Sequence, residues 1–131
     1  MRVRISRCVA ELIQRAAAEA MPREACGLLF GEEGTISAAE TVANVADEPE
    51  LYFEIDPAAL FAALRAERAG GARIAGYWHS HPSGDAQPSE TDAGMAAGDG
   101  KLWLIAGGGE MTLWKAEEVE GRFTPVTITL G

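Results

Sequence analysis

The stretch YWHSHPSGDAQPSETD runs from Tyr77 to Asp92. Read as a strand that Pro82 terminates, it sets the fold and a candidate site together. In an extended chain residues i and i+2 share a face. His79 and His81 then point one way, with Tyr77, while Trp78 and Ser80 point the other. These are the only two histidines in the 131-residue chain. Two imidazoles on one face at a strand end make half of a zinc site. Asp92 follows His81 by eleven residues, in the first turn of a short helix that Ser89 opens. The intervening loop is long enough to fold the carboxylate back onto the imidazoles. Two histidines and one carboxylate leave a fourth tetrahedral position for water, the pattern of a catalytic rather than a structural zinc. Ser89-x-x-Asp92 also reads as a capping box, although that box prefers Glu or Gln at its fourth place. Ser89 can cap the helix and still face a metal. For Asp92 the two readings compete, because one carboxylate must serve either the backbone or the ion. Tyr77 is a weaker candidate for lining the same pocket.

Outward from this stretch, the pattern alternates between strands and helices. Val3 to Ile5 reads as a short strand. Ser6 is a candidate N-cap for a helix reaching about Met21, with Val9, Leu12, Ile13, Ala16 and Ala20 on its apolar face and Pro22 as its stop. Ala25 to Gly31 is a buried strand. Thr35 to Val45 is a weaker strand, and Leu51 to Ile55 alternates like another. Asp56-Pro57 starts a second helix that ends at Gly70-Gly71. Arg73 to Ser80, Leu102 to Ala106, Met111 to Lys115 and Phe123 to Leu130 complete the strands, with Gly107 to Gly109 as a hairpin turn. Trp78, Trp103 and Trp114 read as core. Strands mixed with three helices predict an α/β fold, a single domain over residues 1–131 built on a layered mixed sheet flanked by helices.

Composition removes several function classes. Acids number 20 and bases 11, for a net charge of −9, so nucleic acid is not an expected partner. No Lys or Arg lies between Arg23 and Arg65, a span that holds Glu32, Glu33, Glu40, Asp47, Glu48, Glu50, Glu54 and Asp56. That span reads as a solvated face, or as a surface for a basic partner. No apolar run approaches the ~18–20 residues of a membrane span, so no membrane association is expected. No apolar stretch of signal-peptide length follows Arg2, Arg4 and Arg7. Cys8 and Cys26 are too few for a disulfide framework and fit a reducing, cytoplasmic setting, both as buried inert thiols.

His-x-His-Pro, six residues, then Ser-x-x-Asp resembles the JAMM signature of the MPN-domain metalloproteases. His79, His81, Pro82, Ser89 and Asp92 meet every position. Upstream, Pro22-Arg23-Glu24-Ala25-Cys26-Gly27-Leu28-Leu29-Phe30-Gly31 looks like the family's P-x-E-x-C-G-L-L-x-G segment. The resemblance implies a single zinc held by His79, His81 and Asp92, with Glu24 as general base and then general acid, and Ser89 as a donor to the oxyanion. It implies hydrolysis of a peptide or isopeptide bond, and an architecture related to that of the cytidine deaminases. Composition alone gives Glu24 no distinction among 20 acids. Family members cut bonds made by the C-terminal Gly-Gly tail of ubiquitin-like proteins. A chain this short resembles the compact prokaryotic members, whose expected partners are ubiquitin-like sulphur-carrier proteins.

Two other readings belong to the same motif. The RadC family, linked to DNA repair, shares the His-x-His-Pro-Ser-Gly-Asp segment, but its N-terminal DNA-binding region has no counterpart here and the acidic charge opposes DNA. Some MPN domains are non-catalytic scaffolds, yet those have lost ligands that this sequence keeps. A zinc deaminase itself needs His-x-Glu and Pro-Cys-x-x-Cys, and neither occurs.

Overall fold

The computed structural model describes residues 1–119 and 121–131. In chain order the elements are β1 (Arg2–Ile5), α1 (Arg7–Ala20), β2 (Cys26–Phe30), β3 (Thr35–Ile36), β4 (Ala38–Val42), α2 (Pro57–Arg68), β5 (Ile74–Ser80), α3 (Glu90–Met95), β6 (Leu102–Gly107), β7 (Glu110–Ala116) and β8 (Phe123–Leu130). The caps follow the residues that the sequence marks. The Ser6 hydroxyl accepts from the Val9 amide, and Asp56 accepts from Ala58 ahead of Pro57 at the start of α2. Gly108 and Gly109 take the left-handed conformation that the β6–β7 turn requires.

The eight strands form one mixed sheet in the order β3-β1-β8-β7-β6-β5-β2-β4. β5 and β6 pair in parallel, and β2 runs antiparallel to β5. Only Ser37 separates β3 from β4, yet the two strands lie at opposite ends of the sheet. Laid flat, seven gaps of about 4.8 Å would part them by roughly 34 Å, ten times what one residue spans. The sheet therefore curls until its two edges meet at Ser37, whose amide donates to the Phe30 carbonyl. This corrects the expectation of one strand over Thr35 to Val45, because hydropathy does not record which edge a strand joins.

One face of the sheet packs on α1. Val9 and Ile13 join Ile5, Leu29, Ile36, Trp78 and Leu104 in the larger apolar cluster. The other face carries a smaller cluster of Cys26, Phe53, Ala96, Trp103 and Ala116. Alternation along β5 sends Trp78 into the first cluster, while Tyr77 packs against the second and His79 stacks on Phe53 there. Trp114 is only half-buried.

Three further expectations are corrected. Leu51 to Ile55 is no strand: Ile55 makes a single bridge with Asn44, and the Asn44 side chain takes main-chain partners that a ladder would have used. Leu12 lies at the rim of α1 and is 36% exposed. Cys8, in the first turn of α1, is exposed, while Cys26 is buried. No helix among the described residues is long and apolar enough to cross a membrane.

Candidate active site

His79 is the second-last residue of β5, fully buried, and its ring stacks on Phe53 with centroids 4.2 Å apart. His81 lies just beyond the strand, where its amide still donates to the Ala106 carbonyl of β6. The i, i+2 spacing brings the two Nε2 atoms to 3.0 Å. Asp92 comes from α3 and completes the group. Its Oδ1 is 3.0 Å from Nε2 of His79, and its Oδ2 is 3.1 Å from Nε2 of His81.

Chain order alone could not bring Asp92 so close. The loop from Pro82 to Pro88 is held from below by β7, where the Thr112 hydroxyl donates to the Ala86 carbonyl and accepts from Nε1 of Trp114. The Asp85 carbonyl in the same loop lies 2.7 Å from Nδ1 of His81. A carbonyl can only accept, so Nδ1–H donates to it and Nε2 is the ring nitrogen left to face His79 and Asp92.

The competition at Asp92 is resolved by geometry. The Ser89 hydroxyl accepts from the Asp92 amide at 3.0 Å, and the Ser89 amide donates to Oδ2 at 2.9 Å. The capping box is complete, yet Oδ2 still faces His81 and Oδ1 is left to His79. Capping leaves Asp92 free to face the histidines because a carboxylate has about four acceptor positions.

Glu24 sits between α1 and β2, only 7% exposed. Its side chain and those of His79 and His81 each offer a ligand atom within 4.8 Å of the others, a gap that one water spans. Its main chain is fixed on both sides: the Glu24 amide donates to Pro49, and the next amide, Ala25, donates to the Ser80 hydroxyl. Glu24, Glu50, Leu51, His81, Pro82 and Ser89 line an open cleft of about 250 Å³. Tyr77 does not reach it. It lines a separate apolar hollow with Phe53, Leu60, Met95 and Trp103, which corrects the weaker expectation.

The electrostatics follow from burial and proximity. Burial pushes the Glu24 carboxyl up to about 7, with His81 pulling against the rise and Asp92 adding to it. Burial works the same way on Asp92, but hydrogen bonds from His79 and His81 hold it well below the usual carboxylate range. Burial lowers His79. His81 ends above its ordinary value, since bonds to Asp92 and the Asp85 carbonyl outweigh its burial.

The donor set fits a zinc ion. Ligand atoms about 2.0–2.1 Å from a tetrahedral centre stand about 3.3 Å apart, close to the 3.0–3.1 Å edges of this group. Two neutral imidazoles and a carboxylate are ligands that zinc accepts.

The chain matches known proteins on these terms. Residues 6–117 match the family described as prokaryotic homologs of the JAB domain. The chain belongs to the prokaryotic JAB family. A desampylase from Haloferax volcanii is 39% identical over 102 residues, which cover 74% of this chain and 73% of that protein. A probable TtuB-protein conjugate cleaving protease from Thermus thermophilus is 35% identical over 71 residues, 54% of this chain and 47% of that protein. Among solved structures, a protein from Desulfitobacterium hafniense superposes with a TM-score of 0.83 at 25% identity, covering 100% of this chain and 93% of that one. A structure described as a metalloprotease-like zinc site of the JAMM type in the proteasome and signalosome gives 0.60 at 20% identity, covering 98% and 99%, and shares the fold. This JAB-family chain is thus an enzyme of the JAMM metallopeptidase type with the mixed α/β fold of that group.

Residues that the sequence did not single out also shape the site. Phe53 reads as one alternating apolar residue, yet it is the stacking partner of His79. Asp85 acts through its carbonyl, which no side-chain pattern reveals. Thr112 carries no signal, since a strand threonine is common.

Proposed function

We propose that this chain is a zinc-dependent isopeptidase that cleaves after the C-terminal Gly-Gly tail of a ubiquitin-like or sulphur-carrier protein. The observation that carries the reading is the convergence of His79, His81 and Asp92 to edges of 3.0–3.1 Å, with the Glu24 carboxylate one water away. The substrate class is supported by the activities that name the Haloferax and Thermus relatives.

Each residue has a part that its surroundings suit. His79 and His81 offer Nε2 and Asp92 its carboxylate to the zinc. Bound zinc supplies a Lewis acid that brings the pKa of water to about 7. Glu24 takes the proton of the attacking water and delivers it to the leaving amine, and a carboxyl held at about 7 is matched to both transfers near neutral pH. The Ser89 hydroxyl already accepts from the Asp92 amide, so its own hydrogen is free to donate to the oxyanion.

The test uses the full chain loaded with zinc and a Gly-Gly-tailed carrier joined to a lysine side chain. The wild type is expected to bind one zinc and release the carrier at its terminal glycine, and Asp92→Ala is expected to lose both properties. A zinc-loaded wild type that leaves the conjugate intact, or an Asp92→Ala variant that keeps its zinc, overturns the reading.

A further inference from the structure

Among the described residues no hydrogen bond holds the Glu24 side chain, so its place is set through its main chain. The residue that organises this support is Asn44, half-buried just after β4. Its Nδ2 donates to the Glu24 carbonyl at 2.9 Å and to the Tyr52 carbonyl at 3.0 Å, with a weaker contact to Pro49 at 3.5 Å. Its Oδ1 accepts from the amides of Ala46 and Glu54, both at 3.0 Å. The segment folded this way returns to Glu24, because the Pro49 carbonyl accepts from the Glu24 amide at 2.7 Å. One side chain therefore ties the general base to the loop that puts Leu51 at the cleft rim and Phe53 against His79. Only an amide does this. Two donor hydrogens and two acceptor lone pairs leave the same group in opposite directions, and an aspartate would turn an oxygen toward the carbonyls.

We propose that Asn44 is a positioning residue of the reaction, holding the Glu24 main chain and the 45–55 rim in one register. The inference rests on the assignment of Glu24 as general base. Misplacement of a reacting group by about 1 Å costs roughly 100-fold in rate, so Asn44→Ala is expected to lower kcat about 10- to 100-fold with the zinc content unchanged. In a Glu24→Gln background the same change should add less than about threefold, since the group it positions is already gone.

A second readout needs no substrate. By amide hydrogen exchange, Asn44→Ala should speed exchange at Glu24 at least about tenfold while Ala25, bonded to Ser80, keeps its protection. Asn44→Asp keeps the acceptor and should protect Ala46 and Glu54 but not Glu24. Loss confined to Ala46 and Glu54 with kcat intact shows a loop support only and overturns the proposal. So does an equal loss of protection at Ala25, which marks general destabilisation. If the wild type cleaves no conjugate, the proposed function fails, and the exchange pattern still decides the place of Asn44.

Discussion

At the scale of single residues, the groups of the candidate site each make two kinds of contact. Asp92 caps α3 through Oδ2 while both its oxygens face the histidines. Ser89 accepts from the helix and has a hydrogen to spare. Ser89→Ala removes both tasks, so turnover should fall roughly 10²–10³-fold and stability should fall about 1 kcal/mol, as for other lost caps. Denaturant unfolding beside steady-state kinetics separates them, and a stability loss with kcat intact leaves only the cap. Glu24 gives a pH signature. Its ordinary value is 4.5 and burial holds it at about 7, so between those values the folded chain keeps a proton that the unfolded chain releases. This group therefore takes stability away as pH rises from about 4.5 to 7, with no further change above. Metal-free Glu24→Gln should gain on metal-free wild type between pH 5 and pH 8, by about 1–2 kcal/mol after allowing for the open cleft. Parallel stability curves would mean that the carboxyl is not held protonated. The histidine pair was legible because periodicity alone puts both rings on one face. Glu24 was legible only by resemblance, since burial of a lone acid leaves no trace in composition. Cys8 was misread because an apolar neighbourhood in sequence does not fix which side of a helix a residue takes.

At the scale of elements, the strand that follows Glu24 explains its own glycine. A Cβ on Gly27 would stand 1.9 Å from the Glu40 carbonyl oxygen and 2.3 Å from Nε1 of Trp78. The indole donates to that same carbonyl at 3.2 Å, across the space a side chain would fill. Gly27→Ala must break this bond and part β2 from β4 or β5. It should cost about 2–4 kcal/mol, since Trp78 loses its carbonyl partner. Unfolding midpoints within 0.5 kcal/mol of wild type would show that the strands give way freely. Most elements were legible because their signals are local: Ser6, Asp56-Pro57 and Ser89 each mark a helix start within one turn. Leu51 to Ile55 was not, since an alternating pattern says only that one face is apolar. Whether its main chain pairs with a strand or with Asn44 depends on a residue that chain order does not single out. The break at Ser37 was hidden for the same reason, because it is a property of where the sheet closes.

At the scale of the whole molecule, the pairing of β2 with β5, which sets Cys26 beside His79, and the loop that leads from β5 into α3 bring three distant parts of the chain to one end. The segment ahead of β2 contributes Glu24, the end of β5 and the residue just beyond it contribute the histidines, and α3 contributes Asp92. Little apolar burial secures α3, whose only buried residue is Asp92 itself. An ion shared by Asp92 and the histidines would therefore fasten α3 and its loop to the central strands. A ligand that binds only the folded state adds RT ln(1 + [L]/Kd), about 2.7 kcal/mol at one hundred times Kd. For a chain of this size that raises Tm by roughly 10 °C. Scanning calorimetry with added zinc against a chelator should show this rise in the wild type and lose it in His79→Ala. The net charge of −9 gives the comparison its force, since surface carboxylates also attract a divalent ion. An equal rise in the variant would assign the stabilisation to that surface, because only the site between β5 and α3 needs the imidazole of His79.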